Sequence, residues 1–196
     1  MQKLFLIAAL TLALPVIAQA QEATRTEFFA GYSYMRLESS PNTQDQDLNG
    51  YNVSGAVTIF KKSLAIKADV SGHYGNVLVS ITPRTDQRQE LFLFGPQYSF
   101  RKIPRIRPFA HALFGAARLK VRNDAIGAAD ITDTGFAFAA GGGVDLKTPL
   151  GSKIAVRLFQ ADYVRTKLDF LGNGNTTSSN NIRVSTGVVL RFGRIE

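Results

Sequence analysis

Between Asn181 and Phe192, apolar and polar positions alternate. Ile182, Val184, Thr186, Val188, Leu190 and Phe192 fall on one face, and Asn181, Arg183, Ser185, Gly187 and Arg191 on the other. Side chains alternate across a strand, so this is a strand with one apolar and one polar face. The pattern recurs upstream. Glu27–Met35 sets Phe28, Ala30, Tyr32 and Tyr34 against Glu27, Gly31 and Ser33. Tyr51–Phe60 sets Tyr51, Val53, Gly55, Val57 and Ile59 against Asn52, Ser54, Ala56 and Thr58. Leu64–Tyr74 sets Leu64, Ile66, Ala68, Val70 and Tyr74 against Lys67, Asp69, Ser71 and His73. Glu90–Arg101 sets Phe92, Phe94, Pro96, Tyr98 and Phe100 against Gly95, Gln97, Ser99 and Arg101; Pro96 lacks a ladder donor, so a bulge is expected there.

Phe109–Val121 places Phe109, Leu113, Leu119 and Val121 on the apolar face, with Ala110, Ala112, Ala116, Arg118 and Lys120 opposite. His111 then shares the apolar face and is expected at a membrane interface. Gly135–Lys147 sets Phe136, Phe138, Ala140, Val144 and Leu146 against Ala137, Ala139, Gly141, Gly143, Asp145 and Lys147. A seventh strand starts with Ile154, Val156 and Leu158 on one face and Arg157 on the other. Gln160 and Asp162 then require the polar face and Tyr163 the apolar one, which predicts a bulge near Phe159.

These segments predict eight strands. Lys61-Lys62-Ser63, Lys102–Arg107 and Thr148–Ser152 are short connections, whereas Ser39–Asn49, Asn76–Gln89, Arg122–Thr134 and Lys167–Asn180 are long and carry Asn, Gly, Ser and Asp. Short periplasmic turns alternating with long extracellular loops are the habit of membrane barrels and predict periplasmic termini. A soluble barrel with an inward apolar face has the same alternation. Against it, the polar face is rich in Gly, Ala and Ser, as a narrow lumen requires. The chain is also only 19% charged, below the ~25% usual for soluble domains. Aromatic residues on the apolar face gather at the strand ends. Tyr32, Tyr34, Tyr51, Tyr74 and Tyr163 lie towards the long loops, and Phe28, Tyr98, Phe100, Phe109 and Phe192 towards the short turns, predicting two interfacial girdles.

The N-terminus fixes the compartment. Met1–Ala20 carries Lys3, then an apolar run, then Ala18-Gln19-Ala20, the pattern of an export signal cleaved after Ala20 and before Gln21. Residues 21–196 remain as one barrel domain. No Cys is present, which excludes disulfides and thiolate metal sites, and the net charge of +8 has little bearing on nucleic acid in an exported chain.

Ser185-x-Gly187-x-x-Leu190-x-Phe192 resembles the C-terminal assembly signal of bacterial outer-membrane barrels. Together with Phe29-Ala30-Gly31-Tyr32-Ser33-Tyr34 and Ala140-Gly141-Gly142-Gly143-Val144-Asp145, it makes the mature chain resemble the family of opacity proteins and the membrane domain of outer-membrane protein A. The family signal ends at its aromatic residue, whereas Gly193-Arg194-Ile195-Glu196 follow here. The resemblance implies an all-β, eight-strand, antiparallel up-and-down transmembrane β-barrel. Its implied partners are outer-membrane lipid and lipopolysaccharide, the barrel assembly machinery and an extracellular ligand of unknown identity, with no nucleic acid and no cofactor.

Candidate chemistry is sparse. Gly141-Gly142-Gly143 precedes no Lys-Ser/Thr and reads as close strand packing, not a phosphate loop. Asp69, Ser71 and His73 share one strand face at spacings of ~7 Å, too far apart for a direct catalytic relay. Arg101, Lys102, Arg105 and Arg107 surround the second short turn, where they are read as solvated cations in preference to contacts with lipid headgroups or peptidoglycan. Hairpin register sets Asp145 opposite Arg157 and Asp162 opposite Arg183, and closure brings Glu27 towards Arg191. Three inward ion pairs are therefore expected. The expected function is structural or surface-interacting through extracellular loops, with no enzyme activity. A narrow gated pore and, less favoured, a lipid-modifying enzyme remain open.

Overall fold

The computed structural model describes residues 26–37, 46–60, 63–77, 85–100, 103, 105–123, 131–148, 153–168 and 177–193. The proposed export signal and its cleavage site lie outside these. Eight strands, β1 (Thr26–Leu37), β2 (Gln46–Phe60), β3 (Leu64–Val77), β4 (Thr85–Ser99), β5 (Ile106–Asn123), β6 (Ile131–Lys147), β7 (Ile154–Leu168) and β8 (Thr177–Phe192), follow one another in space. Each pairs antiparallel with its neighbours, and β8 returns to β1 to close the barrel. Closure leaves no unpaired edge, which lets a β-structure cross a bilayer with its backbone satisfied.

Along most strands burial alternates residue by residue. Phe28, Val53, Ile66, Phe92, Phe138, Val188 and Leu190 are exposed outward, while Glu27, Asn52, Asp69, Ser185 and Arg191 are buried inward. The outward apolar surface is the lipid-facing band.

β5 reverses the faces expected of it. Phe109, His111, Leu113 and Leu119 are buried in the lumen, and Ala110 and Ala112 face outward. Phe109 therefore belongs to no girdle and His111 to no interface. The inward face mixes Phe109, Leu113 and Leu119 with Arg107 and His111, and the outward face mixes small Ala with Phe114, so apolar residues stand on both faces and their alternation carries little information there. Arg107 shares the inward face and is buried, so it is not a solvated turn cation; Arg105 is exposed, and Arg101 and Lys102 lie outside the described residues.

The ladder also extends past the expected strand ends on the long-connection side. β2 begins at Gln46, β4 at Thr85, β6 at Ile131 and β8 at Thr177, so parts of the four expected loops are paired strand. Beyond the lipid, backbone pairing needs no apolar face, so polar sequence continues the hairpins unmarked by alternation. At Pro96 the ladder to β5 skips a stretch between Phe94 and Gln97, but the register is the same on both sides, and no bulge forms. β7 does carry an irregularity between Arg157 and Gln160, where Leu158 and Phe159 are both exposed.

Candidate functional site

The lumen holds the largest concentration of chemistry in the molecule. On β7, Arg157 Nε donates to Asp145 Oδ1 at 2.8 Å, and its guanidinium lies between the rings of Phe29 and Phe109, at 4.3 and 4.2 Å from their centroids. Arg191 Nη2 donates to Asp145 Oδ2 at 2.9 Å, and its Nε lies 3.2 Å from Glu27 Oε1. Glu27 also accepts from Arg107 Nη1 at 2.7 Å.

Gln160 joins this lower group to a second one. Its Oε1 accepts from Arg157 Nη1 at 2.6 Å, and its Nε2 donates to Asp162 Oδ2 at 2.7 Å. Asp162 accepts from Arg183 Nη2 at 2.6 Å and lies 2.9 Å from His111 Nε2. Arg183 Nη1 reaches Asp69 Oδ1 at 2.8 Å and Ser71 Oγ at 2.9 Å, and Lys67 Nζ lies 3.3 Å from Asp69 Oδ2. The three anticipated pairs are thus parts of one branching network, in which every buried charge meets an opposite one, as a dry interior demands.

Sequence inspection missed Lys67, Asp69, Arg107 and His111 as members. For His111 and Arg107 a signal was present: both share the odd-numbered face of β5 with Phe109. For Lys67 and Asp69 the pairing runs across the lumen, to Gln160 of β7 and Arg183 of β8, where hairpin register says nothing. Asp69, Ser71 and His73 form no relay. His73 Nε2 instead meets Ser33 Oγ of β1 at 2.9 Å, and Ser33 meets Ser185 Oγ at 2.9 Å.

Glycine makes room for the network at one point above all. A Cβ on Gly141 would lie 2.3 Å from Asp162 Oδ1, so only glycine admits the carboxylate beside β6. Elsewhere in the lumen Met35, Leu48, Leu91, Leu93, Leu113, Ala117, Leu119, Ala137, Ala139 and Val164 form a buried apolar cluster beside buried polar side chains such as Asn52, Gln89, Gln97 and Asn181, so large Leu and Met stand among the small and polar residues that were expected.

All four residues of the terminal motif lie on β8, and each stands opposite a residue of β1. Ser185 hydrogen-bonds Ser33, Gly187 stands opposite Gly31, and Phe192 packs edge-on to Phe28 at 6.0 Å; Leu190 is exposed on the outer face. The Tyr98 and Phe100 rings, 4.9 Å apart, continue this aromatic end. At the opposite end, outward tyrosines hydrogen-bond polar residues of neighbouring strands: Tyr32 to Asn49, Tyr34 to Asp47 at 2.5 Å and Tyr163 to Asn180 at 2.8 Å. Each ring lies against the apolar band while its hydroxyl meets polar groups, the arrangement of an interfacial belt.

A closed barrel with an apolar exterior, two aromatic ends and a charged lumen meets its family match over residues 6–192, the outer membrane protein beta-barrel domain. The chain belongs to that family. It is an integral protein of the bacterial outer membrane. Among solved structures it is similar to Ail, the attachment invasion locus protein of Yersinia pestis, at 18% identity and TM-score 0.61, covering 88% of this chain and 100% of that one. It is also similar to Neisserial surface protein A, at 17% identity and TM-score 0.62, covering 85% and 97%. OprG of Pseudomonas aeruginosa follows at 12% identity and TM-score 0.50, covering 88% and 98%. At these identities the likeness is one of fold. No curated protein matches the sequence.

Proposed function

We propose that this outer-membrane barrel is a surface-interaction protein, with its termini in the periplasm and its contacts made by the hairpins at the long-connection end. The observation that carries this reading is the filled lumen. Arg183, Lys67, Leu91, Leu113, Gln160 and Val164 are almost wholly buried there, which leaves side chains where a diffusion porin has water. What is free to vary is the outer end, where polar ladders continue beyond the tyrosine belt. The orientation is supported by the alternation of short and long connections. The same reading makes Ser185, Gly187, Leu190 and Phe192 the residues read by the assembly machinery, and assigns the barrel no catalysis: His73 and its serine neighbours are buried, away from any lipid substrate.

The test compares binding of intact cells to host and environmental surfaces for full-length barrel and for variants with each outer hairpin trimmed. Loss on trimming one hairpin, with surface level unchanged, is expected; unchanged binding by every variant would sink the reading. A narrow gated pore is favoured by one observation, the polar chain running from Glu27 to Asp69. Planar-bilayer recording separates the two, because the surface reading expects no steady conductance. Hydrolysis or acyl transfer on labelled phospholipid would overturn the non-enzymatic assignment.

A further inference from the structure

The lumen mouth at the short-connection end carries more positive charge than its acids balance. Three guanidiniums are buried there, Arg107, Arg157 and Arg191, against two carboxylates, Glu27 and Asp145. These are the only acids among the described residues at that end, and both are already shared. Glu27 meets Arg107 and Arg191, and Asp145 meets Arg157 and Arg191. Further cations stand at the opening. Lys147 follows Asp145 by two residues on β6, on the same face, and its N–H donates to the carbonyl of Arg105 at 3.0 Å. Lys153, just before β7, accepts at its carbonyl from Arg191 N at 2.7 Å, which sets it on the rung of Arg191 and Glu27. Arg105, Lys147 and Lys153 are exposed. Arg191 is buried, yet its Nη1 meets no acceptor among the described residues.

We infer that this mouth binds the phosphate group of a small soluble anion, inorganic phosphate or a phosphomonoester, seated on Arg191 Nη1 and held by Lys147 and Lys153. The charge count selects an anion over water. The buried guanidiniums exceed their carboxylates by one, and a buried charged donor without an acceptor is costly. The exposed cations add the field that draws a divalent anion in. A guanidinium N–H and two ammonium groups suit the several oxygens of a tetrahedral oxyanion better than a single halide. Lys147, Lys153 and Arg191 stand at the ends of three consecutive strands, so they span two strand spacings, about 10 Å, which long side chains close around one phosphate. Position selects a soluble ligand. Arg191 points into the lumen, so the barrel wall separates it from lipid headgroups. The site lies at the short-connection end whichever way the barrel is inserted, and it stands independently of the surface reading. With the termini in the periplasm it opens to that compartment.

The test titrates inorganic phosphate into folded barrel in maltoside detergent at fixed ionic strength and follows binding by calorimetry. One saturable site is expected. The double variant K147Q/K153Q should weaken it by about tenfold or more, the worth of a hydrogen bond between charged groups, whereas K167Q at the opposite end leaves it unchanged. Arg191→Lys keeps the charge but removes the unpartnered nitrogen, and should weaken phosphate by a similar factor. If that variant loses the gel-mobility shift of folded barrel, the exposed lysine pair decides alone. Glycerol 3-phosphate distinguishes the sources. An affinity like that of phosphate shows that a phosphomonoester enters the mouth, and binding of inorganic phosphate alone shows a site closed around the free ion. Absence of saturable phosphate binding, or an unchanged affinity in K147Q/K153Q, overturns the site. Displacement of phosphate by equimolar chloride would mark simple counterion exchange and overturn it too.

Discussion

In one part of the lumen Arg157, Arg183, Arg191 and Lys67 are held by Asp145, Asp162, Glu27 and Asp69; in another, Leu91, Leu93, Leu113, Ala117 and Leu119 pack against one another. Both regions are buried, but they respond to damage differently. An ion network is costly to break singly, because the deserted partner stays buried and charged. An apolar cluster loses only the contacts and volume removed, and its cost is graded. A narrow barrel can thus be closed by either means.

The largest effect is expected at Arg157. Its conversion to Ala strands Asp145 and empties the space between Phe29 and Phe109, and should destabilise the folded barrel by about 3–5 kcal/mol. The chain has no Trp, so unfolding is followed by circular dichroism or by the shift in gel mobility on boiling. Bilayer conductance should rise in the same variant if the network closes the path. A loss below about 1 kcal/mol would show that water reaches the pair and that the two regions are not equally dry.

Leu113→Ala samples the other region. A loss of about 2–5 kcal/mol is expected, with conductance unchanged, because the cavity left is apolar and stays dry. Conductance rising equally in both variants would erase the functional distinction between the regions.

Phe192 lies outside both. Its ring partners Phe28 at the barrel seam, a contact worth about 1 kcal/mol, so Phe192→Ala should cost little in barrel folded in vitro. Outer-membrane levels in cells should nevertheless fall severalfold, and wild-type levels would remove this residue from the assembly signal. The smallest effect is expected at Ala112. Facing lipid, it should accept Leu with a change within about 0.5 kcal/mol. A loss of 1–3 kcal/mol, the usual cost of overpacking, would return that side of β5 to the lumen.

β5 shows why part of the molecule was legible in its sequence and part was not. β8 and β1 expose their faces because branched or aromatic residues alternate with charged or small ones over most of the span, with Phe29, Met35 and Val189 the inward exceptions. In β5 the polar markers Arg118 and Lys120 stand beyond the lipid, where a cation can point outward at no cost. The markers that count, Arg107 and His111, stand within the span on the Phe109 face. Neighbouring-strand pairs such as Asp145 with Arg157 follow from hairpin register. Contacts across the lumen, Arg183 to Asp69 or Arg107 to Glu27, depend on closure and side-chain reach, which no local pattern encodes.

The irregularity at Leu158 and Phe159 bears on how this chain can change over generations. Those two side chains point the same way, and every residue of β7 after them depends on that count. Losing either residue would turn Gln160, Asp162, Val164 and Thr166 towards lipid and take from Arg183 and His111 the carboxylate they share. A single-codon deletion, harmless in an outer loop, is here equivalent to several simultaneous substitutions. The outer hairpins are free to lengthen and shorten, while the length of β7 is held by the side chains it must deliver to the lumen.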